Sequence, residues 1–178
     1  AAMMRVVDEL VHKGHIFIDA GNCVGWSLNN LVIDPPVRYH SALSMGPTGF
    51  AVGAVIGGKM AAPDLHQVAL VGDGAFMMHG AEISTAAQHR VGAIWIVLDD
   101  NDLSMVSQGM AQLLPPAAQW DDYYALGRPD LAKFAEGLGA HAVTIGHDQG
   151  TDALRQALKH ALVDADQHKR PQVIVVRL

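Results

Sequence analysis

The sequence has 178 residues, of which 50% are hydrophobic and 17% are charged, and its formal net charge is −6. This composition excludes a disordered chain, and the negative charge provides no basic surface of the kind that binds nucleic acid or an anionic membrane. No apolar run approaches the roughly 20 residues that span a bilayer. Cys23 is the only cysteine, so an internal disulfide is impossible and a reducing, cytoplasmic location is expected.

The first predicted element is a short helix in AAMMRVVDELVHKG, which lacks the uninterrupted apolar core of a signal peptide. Apolar runs then alternate with segments of helical period. Strands are predicted in HIFIDAG, HQVALVGDG, VGAIWIVLDDND, HAVTIG and QVIVVRL, and helices over residues 48–60, 76–89, 129–137 and 150–166.

Strands that are apolar throughout and separated by helices indicate a mainly parallel sheet. We therefore predict one α/β domain over residues 1–178, with a doubly wound sheet and helices on both faces. Such sheets bind ligands outside the carboxyl ends of their strands. Residues 107–128 form the one long segment predicted to be irregular, and their length makes them a candidate lid.

Acidic residues end two of the predicted strands. Asp73 lies between Gly72 and Gly74, and Asp99 and Asp100 end the next strand. Carboxylates that converge on one crevice repel each other, and a bound cation reconciles them. The glycines let a ligand approach the backbone, and a helix predicted to begin near Ala75 directs free N–H groups to the same place. These features predict a Mg²⁺ site for a phosphorylated ligand, and the alternative is that the acids are solvated loop residues or helix caps.

The segment GDGAFMMHGAEISTAAQHRVGAIWIVLDDNDLSMV resembles the cofactor motif of thiamine diphosphate enzymes. In that family GDG is followed, after an intervening segment of similar length, by NN or ND. The segment looks most like the acetolactate synthase and 2-oxo acid decarboxylase branch, and GPTGFAVGAVIGGKMAAPD and PDLAKFAEGLGAHAVTI match the same branch. The resemblance covers nearly the whole chain and implies its diphosphate-binding domain or subunit.

The resemblance also implies the site residues. Mg²⁺ would be held by the carboxylates of Asp73 and Asp100 and by the main-chain oxygen of Asp102. Thiamine diphosphate would contact these residues and, in addition, Asn22, Gly46, Thr48, Gly72, Gly74, Ala75 and Met105.

Two positions depart from the family pattern. Asp99 and Asp100 stand where most members have Asn-Asn, so an additional carboxylate makes cofactor binding depend on the metal. Thr48 stands where acetolactate synthases have a methionine that supports the bent cofactor. The residue that supports the cofactor here is therefore left open.

The catalytic group that the resemblance implies is not found in this sequence. In the family, a glutamate on a pyrimidine-binding domain activates the cofactor, and 178 residues leave no room for that domain. We therefore expect it on a separate subunit of a homo- or hetero-oligomer with the cofactor at the interface. His40 and His79 are the remaining candidates for contact with reacting groups, and their alternative is an ordinary surface or cleft histidine.

The function that the resemblance implies is decarboxylation of a small 2-oxo acid such as pyruvate, carboligation to a second carbonyl, or both. One alternative is the beta subunit of a split decarboxylase of the sulfopyruvate or phosphonopyruvate type, in which Arg38 and His40 would hold the anionic tail. Another is a non-catalytic relative that binds the cofactor or a partner chain. Neither nucleic acid nor a membrane is expected as a partner.

Overall fold

The computed structural model describes residues 1–32, 34–114 and 121–178. Its strands are β1 (Gly14–Ile18), β2 (Arg38–His40), β3 (His66–Gly72), β4 (Ile94–Asp99), β5 (His141–Ile145) and β6 (Gln172–Arg177). They form one parallel sheet in the order β2-β1-β3-β4-β6-β5.

Helices cover both faces of this sheet. One face carries α1 (Ala2–Leu10), α2 (Asn22–Asn30) and the long C-terminal helix, whereas α3 (Phe50–Ala61), α4 (Asp73–His79) and α5 (Glu82–Gln88) lie on the other. The remaining helices are α6 (Ser104–Leu113), α7 (Asp121–Tyr124), α8 (Leu131–Gly137) and the C-terminal α9 (Gly150–His168). The predicted doubly wound α/β fold is confirmed. None of the described helices has the length and apolar character needed to cross a bilayer.

The strands are apolar throughout because both of their faces are buried. Ile94 and Ile96 of β4 pack with α1 and α9, and Trp95 between them packs with α3 and α5. Trp95 is fully buried, and its Nε1 donates to the main-chain oxygen of Val52 at 3.1 Å. This bond ties α3 to the centre of the sheet.

Two of the elements that were not predicted from the sequence are β2 and α2. β2 has only three residues and begins at the exposed Arg38, so it shows no apolar alternation. α2 contains Gly25 and several polar residues, which obscure its helical period. Both elements follow the first predicted strand: α2 leads the chain back to the amino edge of the sheet, and β2 brings it again to the carboxyl edge.

The single helix predicted over 76–89 is wrong, because the structure has two helices there. α4 already begins at Asp73, and the chain bends at Gly80 before α5 begins. The N–H of Gly80 donates to the main-chain oxygen of Phe76 at 2.6 Å, and a Cβ on Gly80 would lie 2.8 Å from Cε1 of Phe134. Glycine therefore lets α8 pack against the bend.

The prediction of an irregular segment over 107–128 is also wrong for its first part. Residues 107–113 belong to α6, and the later part includes the short helix α7. Residues 115–120 of the candidate lid lie outside the described residues. The lid itself stays a prediction.

Lys59 joins the two helical layers at the amino edge of the sheet. This side chain is 4% exposed, and its Nζ donates to Oδ1 of Asp166 on α9 and to the main-chain oxygen of Leu65, both at 2.9 Å. His66 Nε2 lies 3.2 Å from the other carboxylate oxygen of Asp166. Burial is the largest single influence on the pKa of Asp166 and raises it, but the hydrogen bond from Lys59 and the positive charges around the carboxylate together outweigh burial and lower that pKa. We call this contact the Lys59–Asp166 clamp.

Candidate functional site

A cavity of about 320 Å³ lies at the carboxyl edge of the sheet, between the segments that follow β1, β3 and β4. We call it the Asp73 cavity. Its walls include every residue that the sequence predicted for the cofactor, namely Asn22, Gly46, Thr48, Gly72, Asp73, Gly74, Ala75, Asp100, Asp102 and Met105. The structure thus brings the predicted set to one place, and cofactor contact at each position stays a prediction.

Asp73 is the acid held deepest in this cavity. Its side chain is buried, and its carboxylate oxygens accept hydrogen bonds from the N–H groups of Gly74 and Asn101, both at 2.7 Å. Burial raises the pKa of Asp73 to about 6, and the negative charges of Asp100 and Asp99 act in the same direction. Its environment therefore disfavours an isolated anion and suits an added cation.

The turn after β4 presents the second acid. Asp100 is exposed, and its carboxylate accepts from the Ser104 hydroxyl at 2.5 Å and from the N–H of Asp102 at 3.3 Å. Asn101 has the left-handed backbone angle φ 61, which turns its N–H toward Asp73. The carboxylate of Asp102 accepts from the Ser107 hydroxyl on α6. These bonds fix Asp100 and the main chain of Asp102 beside Asp73.

Residues 124–128 also form hydrogen bonds with this turn. The N–H of Leu103 donates to the main-chain oxygen of Tyr124 at 2.9 Å, and the N–H of Leu126 donates to that of Asn101 at 3.0 Å. The N–H of Arg128 donates to the side-chain oxygen of Asn101 at 2.5 Å. Residues 124–128 of the predicted lid are therefore attached to the turn that carries the acids.

This donor set fits a divalent cation. In the part of the chain that the structure describes, no three His, Cys, Asp or Glu side chains are grouped to hold a metal. The predicted set needs only two carboxylates and one main-chain oxygen, because Mg²⁺ completes its octahedron with phosphate oxygens and water. Each oxygen of Asp73 accepts one protein hydrogen bond and so keeps a lone pair for a cation.

Glycines leave the cavity walls open to a ligand. A Cβ added to Gly21, Gly46 or Gly72 would meet no atom within 4 Å. Gly21 and Gly46 have positive φ angles of 96° and 60°, which strain other residues. Gly74 differs, because a Cβ there would lie 2.7 Å from Cδ2 of Leu103. Gly21, Gly46 and Gly72 therefore leave room for a ligand against the backbone, whereas Gly74 leaves room for the side chain of Leu103.

Sequence reasoning missed Asp19, which organises the opposite wall. Asp19 is 0% exposed and accepts hydrogen bonds from the N–H groups of Ala20 at 2.9 Å and of Gly49 and Ala51, each at 2.8 Å. Burial raises the pKa of Asp19, and these bonds oppose that rise. Its carboxylate holds the start of α3 and so positions the loop that carries Gly46 and Thr48. The signal was available, since this strand also ends in an acid followed by small residues.

The histidine candidates lie elsewhere. His40 stacks on Phe17 with ring centroids 4.8 Å apart, and its Nε2 lies 3.0 Å from Nδ1 of His15. Burial, followed by the neighbouring His15 and Arg38, lowers the pKa of His40. His79 is exposed beside Gly49, where an added Cβ would lie 2.0 Å from its Nδ1. Neither histidine lines the Asp73 cavity, and Arg38 does not line it either.

Cys23 lines the same cavity as a buried thiol. Burial raises its pKa to about 12, and the nearby acids Asp19 and Asp100 add to the rise. Such a thiol stays protonated, so it packs in the wall and does not act as a nucleophile.

Comparison with known proteins gives one family. Residues 19–176 match the model of the thiamine pyrophosphate enzyme, C-terminal TPP binding domain. The acetolactate synthase isozyme 3 large subunit of Escherichia coli is 30% identical over 138 residues, covering 75% of this chain and 24% of that protein. The 3D-(3,5/4)-trihydroxycyclohexane-1,2-dione hydrolase of Lacticaseibacillus casei is 35% identical over 112 residues, covering 60% of this chain and 17% of that protein.

A solved structure shows the same fold. The thiamine diphosphate-dependent 4-hydroxybenzoylformate decarboxylase of Rhodococcus jostii RHA1 superposes with a TM-score of 0.82 at 20% identity, covering 98% of this chain and 31% of that chain. The chain spans about a quarter of the length of the curated relatives it matches.

Proposed function

Because this chain belongs to the thiamine pyrophosphate enzyme family as a C-terminal cofactor-binding domain, we propose that it binds this cofactor, here called thiamine diphosphate, together with Mg²⁺ in the Asp73 cavity. We further propose that it forms part of a cytoplasmic enzyme that acts on a small 2-oxo acid. The observation that carries this proposal is the convergence of all predicted cofactor residues around one buried carboxylate.

Each part of the cavity has a role in this proposal. Asp73, Asp100 and the main-chain oxygen of Asp102 hold Mg²⁺, and the N–H of Ala75 faces the diphosphate, since the N–H of Gly74 already donates to Asp73. Gly46 and Thr48 face the heterocyclic end. The bound cofactor supplies a carbon nucleophile for the keto group and an electron sink for the pair released with carbon dioxide. The chain itself supplies the metal site and the orientation.

We propose that a separate subunit supplies the acid that activates the cofactor. Among the residues that the structure describes, no glutamate lines the Asp73 cavity, and Glu82 instead accepts from the Thr85 hydroxyl at 2.9 Å on α5. Trp26 and Met105 line the cavity while 53% and 56% exposed. Exposed apolar side chains beside a ligand cavity agree with a partner that covers its mouth.

The relatives carry different reaction names, so the shared fold does not fix the reaction. They include a synthase and a hydrolase. Decarboxylation and carboligation therefore both stand within the proposal. The alternative of a relative that binds only a partner chain is disfavoured by the negative charges of Asp73, Asp99 and Asp100, which repel each other without a cation.

Calorimetric titration of thiamine diphosphate into the chain tests the proposal. We expect binding in the presence of Mg²⁺ and none in the presence of EDTA, because the diphosphate and the carboxylates repel each other without the cation. Addition of the proposed partner subunit should tighten binding further. Equal affinity with Mg²⁺ and with EDTA, or no binding in either, would contradict the proposal.

Gly72→Ala tests whether the ligand passes the strand end. Gly72 has φ −78 and ψ 161, which alanine adopts readily, and an added Cβ meets no protein atom within 4 Å. We expect the melting temperature to stay unchanged and the affinity for thiamine diphosphate with Mg²⁺ to fall about tenfold, the effect of about 1.4 kcal/mol. Thermal unfolding and calorimetry measure the two quantities.

Gly53→Ala is the matched control, because Gly53 lies on the exposed side of α3 with equally open space around it. It should raise the free energy of unfolding by up to about 1 kcal/mol and leave the affinity unchanged. If Gly72→Ala binds the cofactor as tightly as the unmodified chain, the ligand does not pass close to Gly72.

A further inference from the structure

A second cavity of about 250 Å³ borders the Asp73 cavity. We call it the Leu43 chamber. The two cavities share Ala20, Gly21, Gly46 and Met105 in their walls. The Leu43 chamber is therefore directly adjacent to the Asp73 cavity.

The walls of the Leu43 chamber are apolar. Val24, Leu43, Pro47, Phe50 and Met105 supply most of the side-chain surface. Ser41 is the one polar side chain among the described residues that line it. Binding of an apolar group to such a surface is favourable, whereas burying a charged group there costs desolvation free energy.

No cation faces either cavity in the described part of the chain, since their lining contains no Lys, Arg or His. Asp73, Asp100 and Asp102 give the first cavity a negative charge. Arg38 and His40, which the sequence suggested as binding residues for the anionic tail of a substrate, lie outside both cavities. A substrate with a second anionic group would meet repulsion here and no ion pair.

We propose that the Leu43 chamber receives the side chain of the 2-oxo acid, and that this side chain is apolar and uncharged. The proposal rests on the proposed function and narrows its substrate class. The chamber is far larger than the roughly 30 Å³ that one water occupies in the liquid, so it has room for a branched aliphatic or an aromatic group. The apolar walls of the chamber also disfavour the alternative of a sulfopyruvate or phosphonopyruvate decarboxylase, because these substrates carry a second anionic group.

The test uses the whole chain loaded with thiamine diphosphate and Mg²⁺ and labelled with ¹³C at the methionine methyl groups. Met105 lies in the wall that the two cavities share, so in the cofactor-loaded chain a further shift of its signal reports an oxo acid bound at the chamber, and Met60 on α3 is a control because it is 62% exposed and lines neither cavity. The probes are 4-methyl-2-oxopentanoate and sulfopyruvate, which share the 2-oxo acid group and differ in their side chains. We expect the first to shift the Met105 signal at concentrations at which the second does not.

A pair of variants tests the origin of that preference. Leu43→Lys places an ammonium group at the chamber, at a side chain that is 62% exposed and therefore tolerates the change. We expect the ratio of the affinity for sulfopyruvate to that for 4-methyl-2-oxopentanoate to rise at least about tenfold, the effect of a single well-placed charge. Leu28→Lys is the matched control, because Leu28 is 61% exposed on α2 and lines neither cavity. It should leave the preference unchanged.

Three results would overturn the inference. They are binding of sulfopyruvate at least as tight as that of 4-methyl-2-oxopentanoate, no Met105 shift with either probe while calorimetry shows bound cofactor, and an equal response of the two lysine variants. Failure of the cofactor to bind in calorimetry without any oxo acid would instead overturn the proposed function, and the inference would fall with it.

Discussion

Asp73→Asn is expected to lower the affinity for thiamine diphosphate with Mg²⁺ by about 100-fold or more, the upper range for changes that disturb a metal site. Asp73 is the buried acid of the cavity, and its neighbours Asp99 and Asp100 are more accessible to water. An amide of the same shape removes the charge that a cation needs. Calorimetry at fixed Mg²⁺ measures the change, and Asp64→Asn, at an exposed acid outside the cavity, is the control. Retained affinity in Asp73→Asn would place the metal elsewhere.

The same variant should also change the pH dependence of stability. The pKa of Asp73 is about 6 in the folded chain against an ordinary value of 3.8, so the folded state binds this proton more tightly than the unfolded state does. The resulting stabilisation is complete below the ordinary pKa of 3.8 and is lost as the pH rises through the folded-state pKa of about 6. It corresponds to about 3 kcal/mol for a shift of about two pKa units.

Urea unfolding without Mg²⁺ tests this expectation at about pH 3 and about pH 7.5, on either side of that window. The unmodified chain should lose more stability over this interval than Asp73→Asn does. The variant carries a constant cost, because its amide nitrogen faces one of the N–H groups that the carboxylate accepted. An identical pH profile in both proteins would show that Asp73 titrates normally.

Asp19→Ala is expected to destabilise the chain by about 3 kcal/mol or more, because it leaves the buried N–H groups of Gly49 and Ala51 without an acceptor. Asp19→Asn should cost less, since its amide oxygen still accepts one of these bonds. Chemical unfolding measures both values. Asp64→Ala, at an exposed acid, should stay within about 0.5 kcal/mol of the unmodified chain. A loss below about 1 kcal/mol in Asp19→Ala would mean that water replaces the carboxylate.

The parallel sheet could be predicted because burial of both faces makes its strands apolar from end to end. The candidate site could be predicted because acids and glycines follow two of these strands, and parallel strands bring their carboxyl ends to one edge. Asp73 and Asp100 are separated in the sequence but lie in neighbouring strand ends, where Asp73 accepts from the N–H of Asn101. Local patterns are sufficient where the sheet geometry supplies the long-range contact.

Three of the failures depend on a contact between segments distant in the sequence. Gly80, which follows the end of α4, is in close contact with Phe134 of α8, and the role of Asp19 depends on the N–H groups of Gly49 and Ala51. The position of His40 depends on the pairing of β2 with β1, which sets it opposite Phe17. The stretch around Asp19 shows an acid at a strand end, but none of the three stretches identifies the distant partner.

The Lys59–Asp166 clamp lies at the end of the strands opposite the two cavities. This contact between the helical layers is therefore remote from the chamber that we propose for the substrate side chain. Residues 41–43 line only the Leu43 chamber, whereas the backbone from Gly49 onward is held by Asp19. A library that varies only residues 41–43 would thus search for new substrates on a scaffold of nearly constant stability, which makes this short loop the natural starting point for directed evolution of the domain.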